Sequence, residues 1–214
     1  LLQTASARTS AWITADLSRH TPAVPITVLV DARQEGSLRR TLRSLARQSL
    51  QAHRVVVIDP DQSLAGTNCE ALHGTELEHW LATQRMAPGW LLGLAPGDEL
   101  TEGALYHLAR AIDSHPRAQI VYCDHDEIGR DDCYGNPNHK PDINPDLLYS
   151  TPYIGRAMLV SNAQLGQNVA PLDLVGSHSI ALATLATAGA DAFAHVPALL
   201  LHLDTRTAIT RPAD

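Results

Sequence analysis

Short apolar runs that alternate with amphipathic segments are the feature that most constrains how this chain can fold. Four runs rich in Val, Ile and Leu each have the length of one strand, at residues 26–30, 54–59, 90–94 and 119–123. Such continuous apolar runs are typical of strands that are buried on both faces of a parallel sheet. Leucines with helical spacing follow the first run, at Leu38, Leu42 and Leu45. This alternation predicts βαβ units and a single α/β domain with a mainly parallel sheet flanked by helices.

The bulk properties exclude several classes of protein. The chain has 214 residues, which suits one domain, and its net charge of −7 argues against a nucleic-acid partner. No apolar run reaches the roughly 18–20 residues that a membrane span requires. The three cysteines lack C-x-x-C spacing, so they indicate neither a disulfide framework nor a zinc site. We therefore expect a cytoplasmic protein, with a peripheral position at the inner face of the membrane as an alternative.

Aspartates follow the predicted strands. Asp31, Asp59 and the pair Asp124 and Asp126 stand at or beside strand ends, and Asp98 closes the turn after residues 90–94. Ligands of open parallel sheets bind at the carboxyl ends of the strands, so this pattern predicts a site at that edge. The carboxylates would hold a divalent cation or accept hydrogen bonds from a base and a ribose. The alternative is that each aspartate only stabilises a turn or a helix start.

The motifs of several common sites are absent. The chain has no G-x-G-x-x-G, no G-x-x-x-x-G-K-[ST] and no G-x-S-x-G, so the sequence supports no dinucleotide fold, P-loop or nucleophile elbow. Residues 129–152 are rich in Gly, Pro, Asn and Asp and predict a long ordered loop. A helix is predicted over 180–188, before Gly189, and a β-rich stretch over 193–203.

Several segments resemble family 2 glycosyltransferases over roughly residues 10–206. The two most specific matches are similar to a subset that acts in bacterial surface-polysaccharide and O-antigen synthesis. The matching segments are Pro25-Ile-Thr-Val-Leu-Val30, Leu38-x-x-x-Leu42-x-Ser44-Leu45-x-x-Gln48, Val55-Val-Val-Ile-Asp59, Leu94-x-x-x-Asp98-Glu-Leu100, Ile120-Val-Tyr122-x-Asp124-x-Asp126, and Lys140-Pro-Asp142-x-x-Pro145-Asp146-Leu-Leu148.

The resemblance implies a GT-A fold over residues 25–206, with an N-terminal extension over 1–24 packed on the domain and a tail over 207–214. It also implies a nucleotide-diphosphate sugar donor, a saccharide acceptor, a Mn²⁺ or Mg²⁺ ion and an inverting transfer. Asp98 is the expected metal ligand. The residues expected to bind the sugar nucleotide are Asp31, Asp59, Asp61, Asp124, Lys140 and Asp142.

Two functional positions differ from the family pattern. The D-x-D position reads Ala95-Pro-Gly97, and Ser177 stands where the catalytic base is expected, which leaves Asp126 or His178 as the candidate base. The resemblance implies a hexosyl- or rhamnosyl-type transferase that extends a cell-surface polysaccharide. A degenerate GT-A domain, acting as a binding or scaffold module beside other domains of a larger assembly protein, remains an alternative. An unrelated α/β binding protein is the third.

Overall fold

The computed structural model describes residues 11–19, 24–61, 63–165 and 178–206. Residues 11–17 form a helix, α1. The remaining helices are α2 (Leu38–Ala46), α3 (Leu77–Arg85), α4 (Ala104–Ser114), α5 (Pro145–Ser150) and α6 (His178–Ala188). The strands are β1 (Ile26–Asp31), β2 (Arg54–Ile58), β3 (Glu70–Leu72), β4 (Trp90–Leu94), β5 (Glu99–Leu100), β6 (Ile120–Ile128), β7 (Tyr134–Asn138), β8 (Met158–Ser161) and β9 (Phe193–Asp204).

The strands form one nine-stranded sheet in the order β3-β2-β1-β4-β8-β6-β9-β5, with β7 paired to β6. Neighbouring strands are parallel in the β3-β2-β1-β4 half and between β6 and β9. Strand β8 runs against both β4 and β6, so β6 and β9 point in the same direction as β4. The sheet is therefore mainly parallel, as predicted, with β5, β7 and β8 as its reversed strands.

Two apolar layers cover the two faces of the sheet. Strand residues alternate between them, since Val28 and Val121 belong to one buried cluster while Leu29 and Tyr122 belong to the other. Helices α2 and α4 pack on the first face, and α3 and α6 pack on the second. Helices on both faces explain why β1 and β4 are buried at every position and lack polar alternation.

The four predicted strands, the helix predicted from Leu38, Leu42 and Leu45, and the helix predicted over 180–188 are confirmed. The predicted long loop over 129–152 is wrong in part, because the segment contains β7 and α5. Strand β7 is exposed along its whole length, so it lacks the apolar pattern that marks the buried strands. Pro197 does not end β9, which continues to Asp204.

Helix α1 packs on α4. Ile13 is buried, Trp12 meets the ring of Tyr106 edge to face, and the Tyr106 hydroxyl donates a hydrogen bond of 2.6 Å to Asp16. The other predicted parts of the extension, residues 1–10 and 20–23, and the predicted tail over 207–214 lie outside the described residues. Within the described ranges, no helix has the length and apolar character needed to cross a membrane.

Candidate functional site at the carboxyl edge of the sheet

The predicted site residues lie in a row along one edge of the sheet. Asp59 follows β2, Asp31 ends β1, Asp98 follows β4 and Asp124 lies on β6, and these four strands point in the same direction. With neighbouring strands about 4.8 Å apart, the four steps from β2 to β6 span about 19 Å. The acids therefore share an edge, as expected, but they are too far apart to converge on one ligand atom.

At the β1 end of this row, Arg33 links two of the predicted acids. Asp31 is almost fully buried and accepts hydrogen bonds of 2.7 and 2.9 Å from the Arg33 guanidinium. Burial alone would raise the pKa of Asp31, but the hydrogen bonds from Arg33 and Gln34 outweigh it and lower the pKa. The bond to Asp31 raises the pKa of Arg33, and the charge of Asp59 contributes in the same direction. Arg33 thus stays charged between the ends of β1 and β2.

Asp59 and Asp61, which follow β2, are exposed, whereas Asp31 is buried. Asp59 has a left-handed backbone, with φ of 42°, and accepts a hydrogen bond of 3.0 Å from the Gly74 amide. Asp61 is exposed and lines a cavity of about 290 Å³, which we call the β1 cavity. Its other lining residues are Ala32, Arg33, Gln34, Glu35, Gly36, Leu38 and Pro96.

Gly36 allows the loop after β1 to close one side of the β1 cavity. Its φ is +143°, and a Cβ added there would lie 1.9 Å from the Pro96 carbonyl oxygen. A larger residue would force the loop away from the turn after β4. The glycine therefore fixes the distance between the two walls of the cavity.

Asp98 is fully buried and acts as a clamp in the turn after β4. Its carboxylate accepts hydrogen bonds of 3.0 Å from the backbone amides of Ala95 and Asp204, and Arg156 Nη2 lies 3.3 Å from its Oδ1. Burial raises the pKa of Asp98, although Arg156 and the two amides act in the opposite direction. These contacts tie the turn after β4 to the end of β9 and to the segment before β8.

This donor set does not fit the divalent cation that the family resemblance implies. Both Asp98 oxygens already have partners, and the neighbouring carboxylates of Glu99 and Asp204 are held by Arg40 and Arg206. Mg²⁺ and Mn²⁺ need open oxygen ligands arranged around the ion. Among the described residues, no group of three or more His, Cys, Asp or Glu side chains could hold a metal ion. The cation at Asp98 stays a prediction, without a ligand set.

At the other end of the row, bulges bring two histidines of β9 to the acids of β6. His195 is paired with Tyr122 and His202 with Asp126, so the eight residues 195–202 of β9 lie opposite the five residues 122–126 of β6. The register shifts beside Asp124 take up the three extra residues. Positions an even number of residues apart share a face of a strand, which places Tyr122, Asp124 and Asp126 on one face of β6. We call Asp124, Asp126, His195 and His202 the histidine–aspartate row.

Asp124 is the most heavily bonded member of this row. It accepts a hydrogen bond of 3.0 Å from the Lys140 amide and lies 2.9 Å from His195 Nε2 and 3.2 Å from His139 Nδ1. Burial opposes these bonds, but together they lower the pKa of Asp124. His195 Nδ1 lies 3.0 Å from Asp142, whose side chain is otherwise exposed. Three predicted binding residues, Asp124, Lys140 and Asp142, therefore do come together.

The Lys140 ammonium is buried beneath this cluster. It donates to the Cys123 carbonyl oxygen and to His125 Nδ1, the latter at 2.9 Å. Burial lowers the pKa of Lys140 to about 8, while burial and the Lys140 charge lower the pKa of His125 to about 4. Lys140 thus braces the inner side of β6, and His125 is neutral at pH 7.

The predicted base Asp126 forms a close pair with His202. The His202 ring also stacks on Tyr134 of β7, with ring centroids 4.2 Å apart. Both members of the pair are mostly buried but keep some exposure, at 11% and 16% of their side chains. The small exposed part of the Asp126 side chain is the part that an acceptor hydroxyl could reach.

The other predicted base, His178, begins α6, a helix that packs against α5. Its Nδ1 is buried without a hydrogen-bond partner among the described residues. Ser177, which occupies the family's base position, lies outside the described residues.

Sequence reasoning missed four residues that organise the site, namely Arg33, Arg156, His195 and His202. Arg33 lies two residues after Asp31, the last residue of β1, and this spacing was the available signal. Arg156 stands two residues before β8, a strand that the sequence did not predict. The histidines depend on bulges that no sequence pattern marks.

Comparison with known proteins gives a fold and no family. No model of a known protein family matches the chain. A 70-residue segment is 39% identical to part of the uncharacterized protein y4gI of Sinorhizobium fredii (strain NBRC 101917 / NGR234), covering 32% of this chain and 8% of that protein.

Solved structures of S. aureus TarS are similar across most of the chain. The full TarS structure has a TM-score of 0.60 at 18% identity, over 85% of this chain and 37% of TarS. TarS 1–349 in complex with UDP-GlcNAc has a TM-score of 0.58 at 15% identity, over 89% of this chain and 60% of that structure. The chain has the GT-A glycosyltransferase fold. It spans less than two thirds of the length of these relatives.

Proposed function

We propose that this chain binds a nucleotide-diphosphate sugar at the carboxyl edge of its sheet and transfers the sugar to a saccharide, with a growing cell-surface polysaccharide as the acceptor class. The observation that carries the proposal is the β1 cavity, which opens at the edge where ligands of parallel sheets bind. The fold adds support, since it is shared with TarS, whose structures include complexes with UDP and with UDP-GlcNAc.

The walls of the β1 cavity offer the chemistry that a nucleoside needs. Asp61 supplies an exposed carboxylate that can accept hydrogen bonds from a base or a ribose. Arg33 presents a planar guanidinium, oriented by Asp31, on which a base can stack. The proposal assigns Asp31 to orienting Arg33, and Asp59 and Asp61 to the nucleoside.

For the transfer itself we propose Asp126 as the general base. It would accept the proton of the acceptor hydroxyl as the oxygen attacks the anomeric carbon, while the diphosphate departs from the opposite face. His202 holds the carboxylate in one orientation through their hydrogen bond. His178 is the competing assignment, and it predicts that loss of Asp126 leaves turnover intact.

A binding module without transfer is the second candidate. The observation that favours it is the saturation of the acids, because Asp98 and Asp124 already accept several hydrogen bonds each. Acids that only maintain the structure would still leave the β1 cavity open to a sugar nucleotide. Such a domain would serve as a binding or scaffold module in a larger polysaccharide-assembly protein.

Calorimetric titration with UDP-, GDP- and dTDP-sugars separates these proposals. We expect one nucleotide class to bind, Arg33→Gln to weaken its binding at least tenfold, and the distant surface control Arg117→Gln to leave binding unchanged. Release of nucleoside diphosphate in the presence of saccharide acceptors would identify a transferase, and binding without release would identify the module. If none of the three classes binds, both proposals are wrong.

A further inference from the structure

The carboxylate of Asp98, in the turn after β4, is enclosed by the protein. Asp98 has no exposed surface, and its two oxygens accept hydrogen bonds from the backbone amides of Ala95, in the turn, and Asp204, at the end of β9. Gly97, with φ of +99°, brings the turn so close to β9 that an added Cβ would lie 2.1 Å from Asp204 Oδ2. A cation could reach the Asp98 carboxylate only if these contacts broke.

The guanidinium of Arg156 lies beside the Asp98 carboxylate. Arg156 lies two residues before β8, and β8 begins beside Tyr122 and runs against β4 and β6, so Arg156 is at the carboxyl edge. Its side chain is 26% exposed, and Nη2 lies 3.3 Å from Asp98 Oδ1. The positive charge at the turn is therefore supplied by the protein.

Arg156 is also the least committed guanidinium around this turn. Arg206 is bonded to Asp204 and Asp132, and Arg40 is paired with Glu99 and Asp132. Within the described ranges, Asp98 is the one acid that Arg156 contacts as an ion pair, and no hydrogen bond from its guanidinium is seen there. A guanidinium has five N–H donors, so among the described residues Arg156 has donors left for an anion.

The turn connects this guanidinium to the β1 cavity. Pro96 lines the cavity and Asp98 follows two residues later, so their Cα atoms are at most about 8 Å apart. A nucleoside in the cavity would therefore carry its phosphates along the turn towards Arg156. Phosphate groups are bound well by guanidinium because two parallel N–H donors match two phosphate oxygens.

We propose that Arg156 binds the diphosphate of the sugar nucleotide and that binding requires no divalent cation, so the arginine takes the place of the metal that the fold family implies. This inference rests on the proposed function. It assigns the charge-neutralising role to a side chain on the segment before β8, and it leaves Asp98 as the clamp that positions the turn.

The test is calorimetry with UDP, GDP and dTDP and with the matching nucleosides, in EDTA and in Mn²⁺. We expect the nucleoside diphosphate that binds to do so in EDTA with a Kd within threefold of that in Mn²⁺. Arg156→Gln should weaken its binding at least tenfold while the nucleoside changes by less than twofold, and Arg156→Lys should recover part of the loss. Arg117→Gln is the matched surface control, and thermal melting verifies that each variant is folded.

The outcomes are distinguishable. If nucleotide binds only with Mn²⁺, or equally well to folded Arg156→Gln, the inference is overturned and the proposed function stands. If the Arg156→Gln variant does not fold, the Arg156→Lys variant decides. This variant keeps the positive charge, so if it binds the nucleoside diphosphate no more tightly than the nucleoside, the inference is also overturned. If no nucleoside or nucleotide binds under either condition, the proposed function fails first.

Discussion

The two halves of the sheet are built differently, and the proposed function assigns nucleoside binding to one half and proton transfer to the other. The β3-β2-β1-β4 half is wholly parallel, and its loops enclose the β1 cavity, whose charged lining residues are Arg33, Glu35 and Asp61. The β8-β6-β9 half contains a reversed strand and bulges, and it gathers the histidine–aspartate row. Regular parallel strands provide a fixed edge, whereas bulges redirect side chains, and together they place the β1 cavity and the histidine–aspartate row along one edge of the sheet.

The largest expected effect concerns the turn that joins the two halves. Asp98→Ala leaves two buried amides and Arg156 without their acceptor, so we expect it to lower the free energy of unfolding by ~3–5 kcal/mol. Urea unfolding measures this, with the exposed Asp191→Ala as control. A folded Asp98→Ala variant of unchanged stability that had lost Mn²⁺-dependent binding would restore the metal assignment and contradict the clamp.

The second prediction tests whether a substitution on β6 affects sugar transfer without affecting nucleotide binding. Asp126→Asn should reduce sugar transfer by a factor of about 10² or more, because a positioned general base contributes about that much. The Kd of the sugar nucleotide should remain within twofold, since the change lies in the proton-handling half. Transfer assays and calorimetry on the same preparation measure both quantities, and His178→Gln tests the competing base. Full activity in Asp126→Asn with loss in His178→Gln would reverse the assignment.

The third prediction sharpens the comparison with one substitution in each half of the sheet and a single readout, the affinity for the nucleoside. Asp31→Asn removes a charged partner from Arg33, so we expect nucleoside binding to weaken by about tenfold, as the loss of a charged hydrogen bond implies. His195→Gln should change nucleoside affinity by less than twofold, because its contacts are with Asp124 and Asp142. Equal losses in the two variants would show that the halves do not divide the work.

The smallest expected effect is a pH dependence that arises at His125 on β6. Burial and the charge of Lys140 lower the pKa of His125 to about 4, below the ordinary value of 6.5. The unfolded state therefore binds more protons between those two values, and the stability of the fold decreases as the pH falls through that window. His125→Gln should show a shallower loss between pH 6.5 and pH 4 in urea unfolding, while His73→Gln, beside β3, should match the wild type.

The parallel half was largely predictable from the sequence, and the other half was not. Val28 and Val57 lie in continuous apolar runs whose length alone identifies buried strands, and Asp31 and Asp59 follow them directly. Strand β7 is exposed, and β8 is only four residues long, so neither gives a pattern that distinguishes it from a loop. Arg156 was missed with β8.

The candidate site was also predictable only in part. Asp98 was found as a turn residue, but whether its oxygens face a ligand or the backbone depends on Asp204, 106 residues later in the chain. The pairing of His195 and His202 with β6 depends on extra residues in β9 that only the register reveals. Contacts between distant segments decide these roles, so local patterns could suggest the edge but not its chemistry.

The most direct test is to observe where a nucleotide binds by NMR, using amide chemical shifts of the ¹⁵N-labelled chain titrated with UDP, GDP and dTDP. The fold offers an internal comparison, because a second cavity of about 380 Å³ lies at the opposite edge, beside the starts of β6 and β9. We predict the largest shifts in residues 32–38 and at Asp61. Largest shifts around Arg117 and Ala192, which line the second cavity, would contradict the account.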